Sequence, residues 1–370
     1  MTRLVALDLP AGDQFLQAIS EAWSHHDVIL PLDQRMPVGA RRRLAADLGA
    51  DIVIGPDGSE QVPQHAHDLV PLQPDDALII ATSGTTGRPK GVIHTHTSLQ
   101  AHATMVGKRL DLNSADHWWL CLPPAHIGGF GVISRAMKFS SRLTVTQNPD
   151  DEAVRNAASS GATRTAVVPT LLGRHDFSNF NTVLVGGARS QSLPANAIST
   201  YGLTESCGGV VYDGLALEGV EVRITDGEVQ LRTKSLARSY RHAPIDTIDG
   251  WLRTGDTGHL RNGALHIEGR RDDVIITGGN KVWPHVVEQR LREHPLVGDV
   301  VVRGIPDSEW GSLVCAWVVP RMATNAPSLE MLRGHVKESL AAYCAPRRLV
   351  LLEVIPRSSL GKVLTAELPQ

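Results

Sequence analysis

The sequence predicts an α/β protein in two parts: a large layered α/β domain over residues 1–271, then a small α+β domain over 272–370. Three observations carry this. Short apolar runs ending in glycine-rich or polar loops recur through the first 215 residues, the texture of buried parallel strands. Segments of helical spacing lie between them, as layered α/β folds require. After about residue 215 the pattern changes to alternating strands around tight turns, followed by an α+β module of about 100 residues.

In order along the chain, AGDQFLQAISEAWSH (11–25) and RRRLAADL (41–48) read as helices. ADIVIG follows as a short strand ended by Pro56-Asp57-Gly58. DALIIATSG is a strand running into a loop, and GVIHTHTSLQAHATMVGKRL begins extended and turns helical after about Thr97. RTAVVPTLL and FNTVLVGGA read as buried parallel strands whose ends build a site. VEVRITDGEVQLRTKSL has Asp226-Gly227 at its centre, a hairpin signal. GALHIEG, VGDVVVRGI and LVCAWVVP are further strands, and PHVVEQRLREH and SLEMLRGHVKESLAAY are helices.

Composition excludes several classes. Lysine plus arginine is 36 and aspartate plus glutamate 39, a net charge of −3, which gives no support to nucleic-acid or acidic-membrane partners. No apolar run reaches the length of a membrane span, and acidic residues enter too early for a secretory signal. Cys121, Cys207, Cys315 and Cys344 form no Cys-x-x-Cys pair, which fits a reducing cytoplasm better than a disulfide framework or a zinc knuckle. His94-x-His96 and His65-x-His67 are two-residue pairs with no third ligand at a recognisable spacing, so neither reads as a metal site.

TSGTTGRPKG (82–91) has too little apolar character for a core. Its glycines let backbone amides close on a polyanion; Thr82, Ser83, Thr85 and Thr86 add hydroxyls, Gly84 and Gly87 the turns, and Lys90 a charge. A flexible linker is the plain alternative. The Walker pattern fails, because Gly84 and Gly87 are three apart and Gly91 follows Lys90.

With this loop, YGLTE (201–205), WLRTGD (251–256), GRRDDVIITGGNKVWPHVVE (269–288), GIPDSEWG (304–311) and PRSSLGK (356–362) occur in order. The series resembles the adenylate-forming superfamily of acyl-CoA synthetases, nonribosomal-peptide adenylation domains and luciferases. That resemblance implies ATP, Mg2+ and coenzyme A as reactants, and a small C-terminal domain that moves between half-reactions. It implies Glu205 as magnesium ligand, Thr204 at the α-phosphate, Tyr201 and Gly202 along the adenine, and Gly186, Gly187 and Ala188 in the loop passing it. Asp256 would accept the ribose hydroxyls beside Arg270, Lys362 would balance charge in adenylation, and Asp272 would be the hinge. Gly278 and Gly279 would line the pantetheine channel, and His126, Gly128 and Gly129 the acid pocket. Plainer readings stay beside these: a turn-forming Asp256, a core His126, a solvated Lys362.

Two departures stand out. The N-terminal subdomain is shortened relative to the family, and Thr365 stands where an arginine often follows the lysine. HIGGFG, LVGGAR and residues 201–224 look most like the short actinobacterial o-succinylbenzoate–CoA ligases of menaquinone synthesis. Another aryl acid, or an amine or carrier-protein thiol as acceptor, remains a rival; a homodimer is compatible with either. A non-catalytic relative would be expected to lose Lys362, Glu205 or Asp256, and all three are present.

Overall fold

The computed structural model describes residues 2–62, 68–82, 89–147, 149–186, 193–357 and 363–369. The chain divides into two compact units. One comprises Met1–Arg223, Gln230–Thr254 and Leu260–Leu265; the other comprises Ile224–Val229, Gly255–His259 and His266–Gln370. The changeover near His266 falls slightly before the expected one at Asp272. It also counts the Asp256 segment with the second unit, where the sequence reading had grouped it with the first.

The first unit begins with β1 (Leu4–Leu7), α1 (Asp13–Ser24), β2 (Val28–Pro31), α2 (Val38–Asp47), β3 (Ile52–Gly55), β4 (Gly58–Gln61), β5 (Asp76–Thr82) and β6 (Lys90–Thr95). The strands form a sheet in the order β6-β5-β2-β1-β3-β4, with Ser239–Tyr240 on the outer edge of β6. β5, β2, β1 and β3 run parallel, and β4 and β6 close the two sides antiparallel. Every position of LVAL in β1 and VILP in β2 is buried, as expected of strands covered on both faces. Helix α1 presents Phe15, Ala18, Ile19 and Ala22 to the interior, one stripe at i, i+3, i+4 and i+7.

The chain continues through α3 (His96–Leu110), β7 (His117–Leu120), α4 (Ile127–Phe139), β8 (Arg142–Val145), α5 (Asp151–Ser159), β9 (Arg164–Val167), α6 (Pro169–Leu172), β10 (Thr182–Val185), β11 (Ala197–Leu203), β12 (Gly208–Tyr212) and β13 (Leu215–Ala216). These strands build a second sheet, β13-β12-β11-β10-β9-β7-β8, parallel from β8 to β11 and antiparallel beyond. The strand-to-helix switch at α3 is sharp. Thr95 Oγ1 accepts the Ser98 amide at 3.0 Å and Ser98 Oγ accepts the Thr95 amide at 3.0 Å, a reciprocal cap that starts the helix at His96.

The expected hairpin forms from Glu221–Thr225 and Glu228–Arg232, with Asp226 at φ 49° and Gly227 at φ 77°, the left-handed pair of a two-residue I′ turn. In the second unit, α7 (Pro284–Arg292) and α8 (Leu329–Lys337) accompany the long hairpin Val297–Asp307/Gly311–Pro320. Val287, Leu291, Val300, Val302, Val314, Ala316, Leu332 and Val336 share one apolar cluster there. Helix α8 stops at Lys337, short of the expected Tyr343. The turn after it lets both Leu340 and Cys344 pack against that same cluster.

Candidate active site

Thr82 and Lys90 are register partners at the loop end of the β5–β6 hairpin, and Thr82 Oγ1 donates to the Lys90 carbonyl at 3.3 Å. The connecting residues Ser83, Gly84, Thr85, Thr86 and Gly87 lie outside the described residues, as do Gly187, Ala188 and Lys362. The Lys90 ammonium sits 5.1 Å from the ring centre of Tyr240, and the Tyr240 hydroxyl donates to Glu205 Oε1 at 2.8 Å. Two expected groups, Lys90 and Glu205, therefore meet through a tyrosine that sequence reasoning missed. Tyr240 comes from the short edge strand on β6, whose two-residue length gave no strand signal.

Thr204 and Glu205 begin a single 3₁₀ turn after β11. Ser206 Oγ accepts the Leu203 amide at 2.9 Å and the Glu205 carbonyl accepts the Ala237 amide at 2.8 Å, so the backbone under the carboxylate is held from both sides. Tyr201 and Gly202 are on β11, at a break in its register with β12. A side chain at Gly202 would stand 1.8 Å from the Gly208 carbonyl oxygen, so this glycine is dictated by close backbone approach. Gly186 lies at the end of β10, its amide bonded to the Val167 carbonyl at 3.1 Å. Beneath Thr204 the His94 ring is fully buried and makes no hydrogen bond of ordinary geometry; burial pushes it down to about 4. His96 instead packs edge-on against Trp23 at 5.1 Å, and no cluster of three metal-binding side chains gathers among the described residues.

In the second unit, Asp256 is buried and accepts from Arg270 Nη1 at 3.1 Å. The turn reading of Asp256 does not hold: it sits within the strand Trp251–Arg261. The preceding amide, of Gly255, donates to buried Glu228 at 3.0 Å, and Glu228 also pairs with Arg271 at 3.5 Å. Asp272 is exposed in the 3₁₀ turn Arg271–Asp273. Gly278 and Gly279, at φ 54° and 77°, form the two-residue turn between Ile275–Thr277 and Asn280–Val282. Both glycines hold a positive φ, which a two-residue turn requires.

Gly128 and Gly129 belong to the first turn of α4, and His126 is its N-cap residue. A side chain at Gly129 would meet the Pro123 carbonyl oxygen at 2.3 Å, so close backbone approach requires a glycine there. The His126 Nε2 lies 3.0 Å from Asp33 Oδ2 and 3.1 Å from Arg35 Nη2. Burial alone would raise the Asp33 carboxyl; the hydrogen bonds from Arg35 and His126 outweigh it and hold the group well below the usual carboxylate range.

A second feature escaped the sequence reading. Arg135, on α4, is buried and has no carboxylate partner among the described residues. Its guanidinium lies 4.7 Å from the Trp118 ring centre, and its Nη1 would be 3.0 Å from a side chain at Gly131, so it folds back toward the glycine-rich first turn. Burial pushes the neighbouring Cys207 thiol and Tyr212 phenol both up to about 12, leaving them neutral beside this cation.

The two sheets define an α/β fold, and Thr82, Lys90, Thr204 and Glu205 stand at or just beyond strand ends. The chain belongs to the AMP-binding enzyme family: that family matches residues 51–232, and the AMP-binding enzyme C-terminal domain matches 286–362. The probable 2-succinylbenzoate–CoA ligase of Mycobacterium tuberculosis is 36% identical over 327 residues, covering 80% of this chain and 85% of that one. The 2-succinylbenzoate–CoA ligase of Listeria monocytogenes is 31% identical over 323 residues, covering 78% and 68%. The fold superposes with TM-score 0.85 on o-succinylbenzoate CoA synthetase (MenE) from Bacillus subtilis in complex with the acyl-adenylate intermediate OSB-AMP, at 23% identity over 99% of this chain and 87% of that one.

Proposed function

We propose that this chain is an AMP-forming acid–CoA ligase that converts o-succinylbenzoate to o-succinylbenzoyl-CoA, a step of menaquinone biosynthesis. The names of the relatives support the reaction. The observation that carries the acid is Arg135. A buried guanidinium without an anion is costly, and a substrate with two carboxylates supplies one: the first is activated while the second neutralises Arg135.

In the first half-reaction a carboxylate oxygen bonds to the α-phosphorus of ATP, and the bond from that phosphorus to pyrophosphate breaks. Thr82, Lys90 and the loop between them hold the phosphates; Lys362 and Thr204 balance charge at the reacting oxygens. Glu205, held by Tyr240, would offer one hard oxygen to a magnesium ion. Such an ion supplies charge neutralisation at the phosphates. Asp256, steadied by Arg270, holds the ribose, and Tyr201, Gly202 and Gly186 line the base. In the second half-reaction the CoA sulfur bonds to the acyl carbon, AMP leaves, and the thiol proton passes to solvent. Movement at Asp272 and a thiol path past Gly278 and Gly279 belong to this reading. So does a cytoplasmic setting: the four cysteines are free thiols, and no described helix is long and apolar enough to cross a membrane.

The test is pyrophosphate release with ATP and magnesium over o-succinylbenzoate, benzoate, salicylate, coumarate and medium-chain fatty acids, with and without CoA. CoA-dependent turnover confined to o-succinylbenzoate is expected. Turnover with another aryl acid alone would overturn the substrate, and an adenylate that CoA cannot discharge would overturn the acceptor. In the same assay Arg135→Met should raise the KM for o-succinylbenzoate at least about tenfold, the scale of a lost charge-assisted hydrogen bond, and leave the KM for ATP unchanged.

A further inference from the structure

The carboxyl ends of two strands from different sheets converge on His126. Asp33 and Arg35 lie in the loop after β2, and His126 in the loop after β7. Asp33 is buried and fixed by its own loop: its Oδ1 accepts the Arg35 amide at 3.1 Å, and its carbonyl accepts the Met36 amide at 2.9 Å. Between them, Gln34 turns the other way and donates to Asp8 at 3.0 Å, latching the loop to the end of β1. The Arg35 guanidinium grips Asp33 with both arms, Nε to Oδ1 at 2.9 Å and Nη2 to Oδ2 at 2.7 Å. The His126 Nε2 completes a triangle with that second arm, 3.0 Å from Oδ2 and 3.1 Å from Nη2.

We infer that Asp33 and Arg35 are positioning residues for the acid site: they clamp the His126 ring by its Nε2 edge and set its tautomer. The inference rests on the reading of His126 as a wall of the acid pocket. A single ring nitrogen cannot donate to Asp33 and accept from Arg35 at once. Arg35 already spends its shorter bond on Oδ2, and an ionised carboxylate is the stronger partner, so Nε2 carries the proton and donates to Asp33. Nδ1 is then the unprotonated nitrogen, and it makes no hydrogen bond among the described residues. A ring held by a charged pair anchored in a separate sheet keeps one plane as an acid enters, which is how a pocket wall stays preorganised. Arg35 is the adjustable member, with a third of its side chain exposed, while Asp33 is not.

The test uses the full chain and four proteins: wild type, Asp33→Asn, Arg35→Met and His126→Ala. Each is assayed for kcat, KM for the acid and KM for ATP in pyrophosphate release, for melting temperature, and for the His126 tautomer by ring 15N shifts. In Asp33→Asn the amide oxygen keeps the bonds from the Arg35 amide and Nε, and the NH₂ takes the place of the oxygen that met Arg35 Nη2 and His126 Nε2, so the proton should move to Nδ1. The KM for the acid should rise about tenfold or more with the KM for ATP unchanged, the loss expected for one charge-assisted hydrogen bond. Arg35→Met, at a part-exposed position, should keep the tautomer but raise the acid KM by a smaller factor, and it carries the test if Asp33→Asn fails to fold. An unmoved tautomer and acid KM in Asp33→Asn, while His126→Ala raises the acid KM, would overturn the clamp and leave the pocket reading standing. An acid KM untouched by His126→Ala would overturn the pocket reading itself. Equal losses for acid and ATP together with a lower melting temperature would reduce Asp33 to a structural role.

Discussion

At the scale of single residues, the site depends on side chains that do no chemistry themselves. Tyr240 is the plainest case. Its hydroxyl holds one oxygen of Glu205 and its ring lies under Lys90, so one phenol organises both charges proposed to face the triphosphate. Hydrogen bonds to charged groups contribute about 1.5–3 kcal/mol, which corresponds to roughly ten- to hundredfold in an equilibrium. Tyr240→Phe keeps the ring and removes only the hydroxyl. It should raise the magnesium concentration needed for half-maximal adenylation by about tenfold or more, with the KM for the acid unmoved. A magnesium titration at saturating ATP measures this, and an unchanged curve would show that the hydroxyl does not orient Glu205. Expected residues such as Glu205 were legible because they stand in recognisable strings. Tyr240, Asp33, Arg35 and Arg135 were not, since what makes each matter is a partner 35 or more residues away or, for Arg135, the lack of a carboxylate partner among the described residues.

At the scale of elements, the second unit shows how strands deliver a proposed ribose site. Gly255 and Asp256 are neighbours on one strand, while Arg270 and Arg271 follow the strand that pairs with it. Arg270 takes Asp256, and Arg271 with the Gly255 amide takes Glu228 on the adjoining hairpin strand. The aspartate is thus held at its side chain by Arg270, and the backbone just before it by Glu228, which Arg271 pairs with in turn. Glu228→Gln keeps the acceptor for the Gly255 amide and removes the charge that draws Arg271. The expected outcome is a severalfold rise in KM for ATP, with the acid KM unchanged, measured by initial rates of pyrophosphate release. Equal effects on both constants would place Glu228 in general stability. Sequence alternation identified the 221–232 hairpin and the strand around GALHIEG but not Trp251–Arg261; the lateral order of all of them came only from the sheet, since pairing is set by long-range hydrogen bonds that no local pattern encodes.

At the scale of the whole molecule, acid should be the sharpest stress. Burial pushes His94 down to about 4 and His102 to about 3; for His102 the nearby Arg135 cation adds to the burial. Both are neutral in the folded protein and take up a proton near pH 6.5 once unfolded. Their contribution is fully present above pH 6.5. Below it the unfolded chain binds more protons, so stability falls as pH drops toward 4, by up to about 1.4 kcal/mol per pH unit for each histidine. Denaturant midpoints between pH 4 and 7.5 should trace that decline, and His102→Gln should make it shallower by about one proton. A midpoint flat across this window would mean that neither ring stays neutral in the fold.

The sequence by itself determined the α/β class, the family and several of the helices and strands, because these rest on local periodicity and on contiguous strings around a reactive nucleotide. It also determined which residues carry formal charge at the proposed phosphate and ribose positions. Only the tertiary structure decided how those residues are held. Gly129 turned out to stand against the Pro123 backbone, Asp256 to lie in a strand, and α8 to stop early so that Leu340 could reach its cluster. The Arg135 cation, without a carboxylate partner among the described residues, exists only once α4 packs on the second sheet, and the clamp on His126 only once two sheets bring distant loops together. The physical reason is common to all of these: burial, close approach and charge pairing are properties of neighbours in space, and a chain read along its length shows neighbours in order alone.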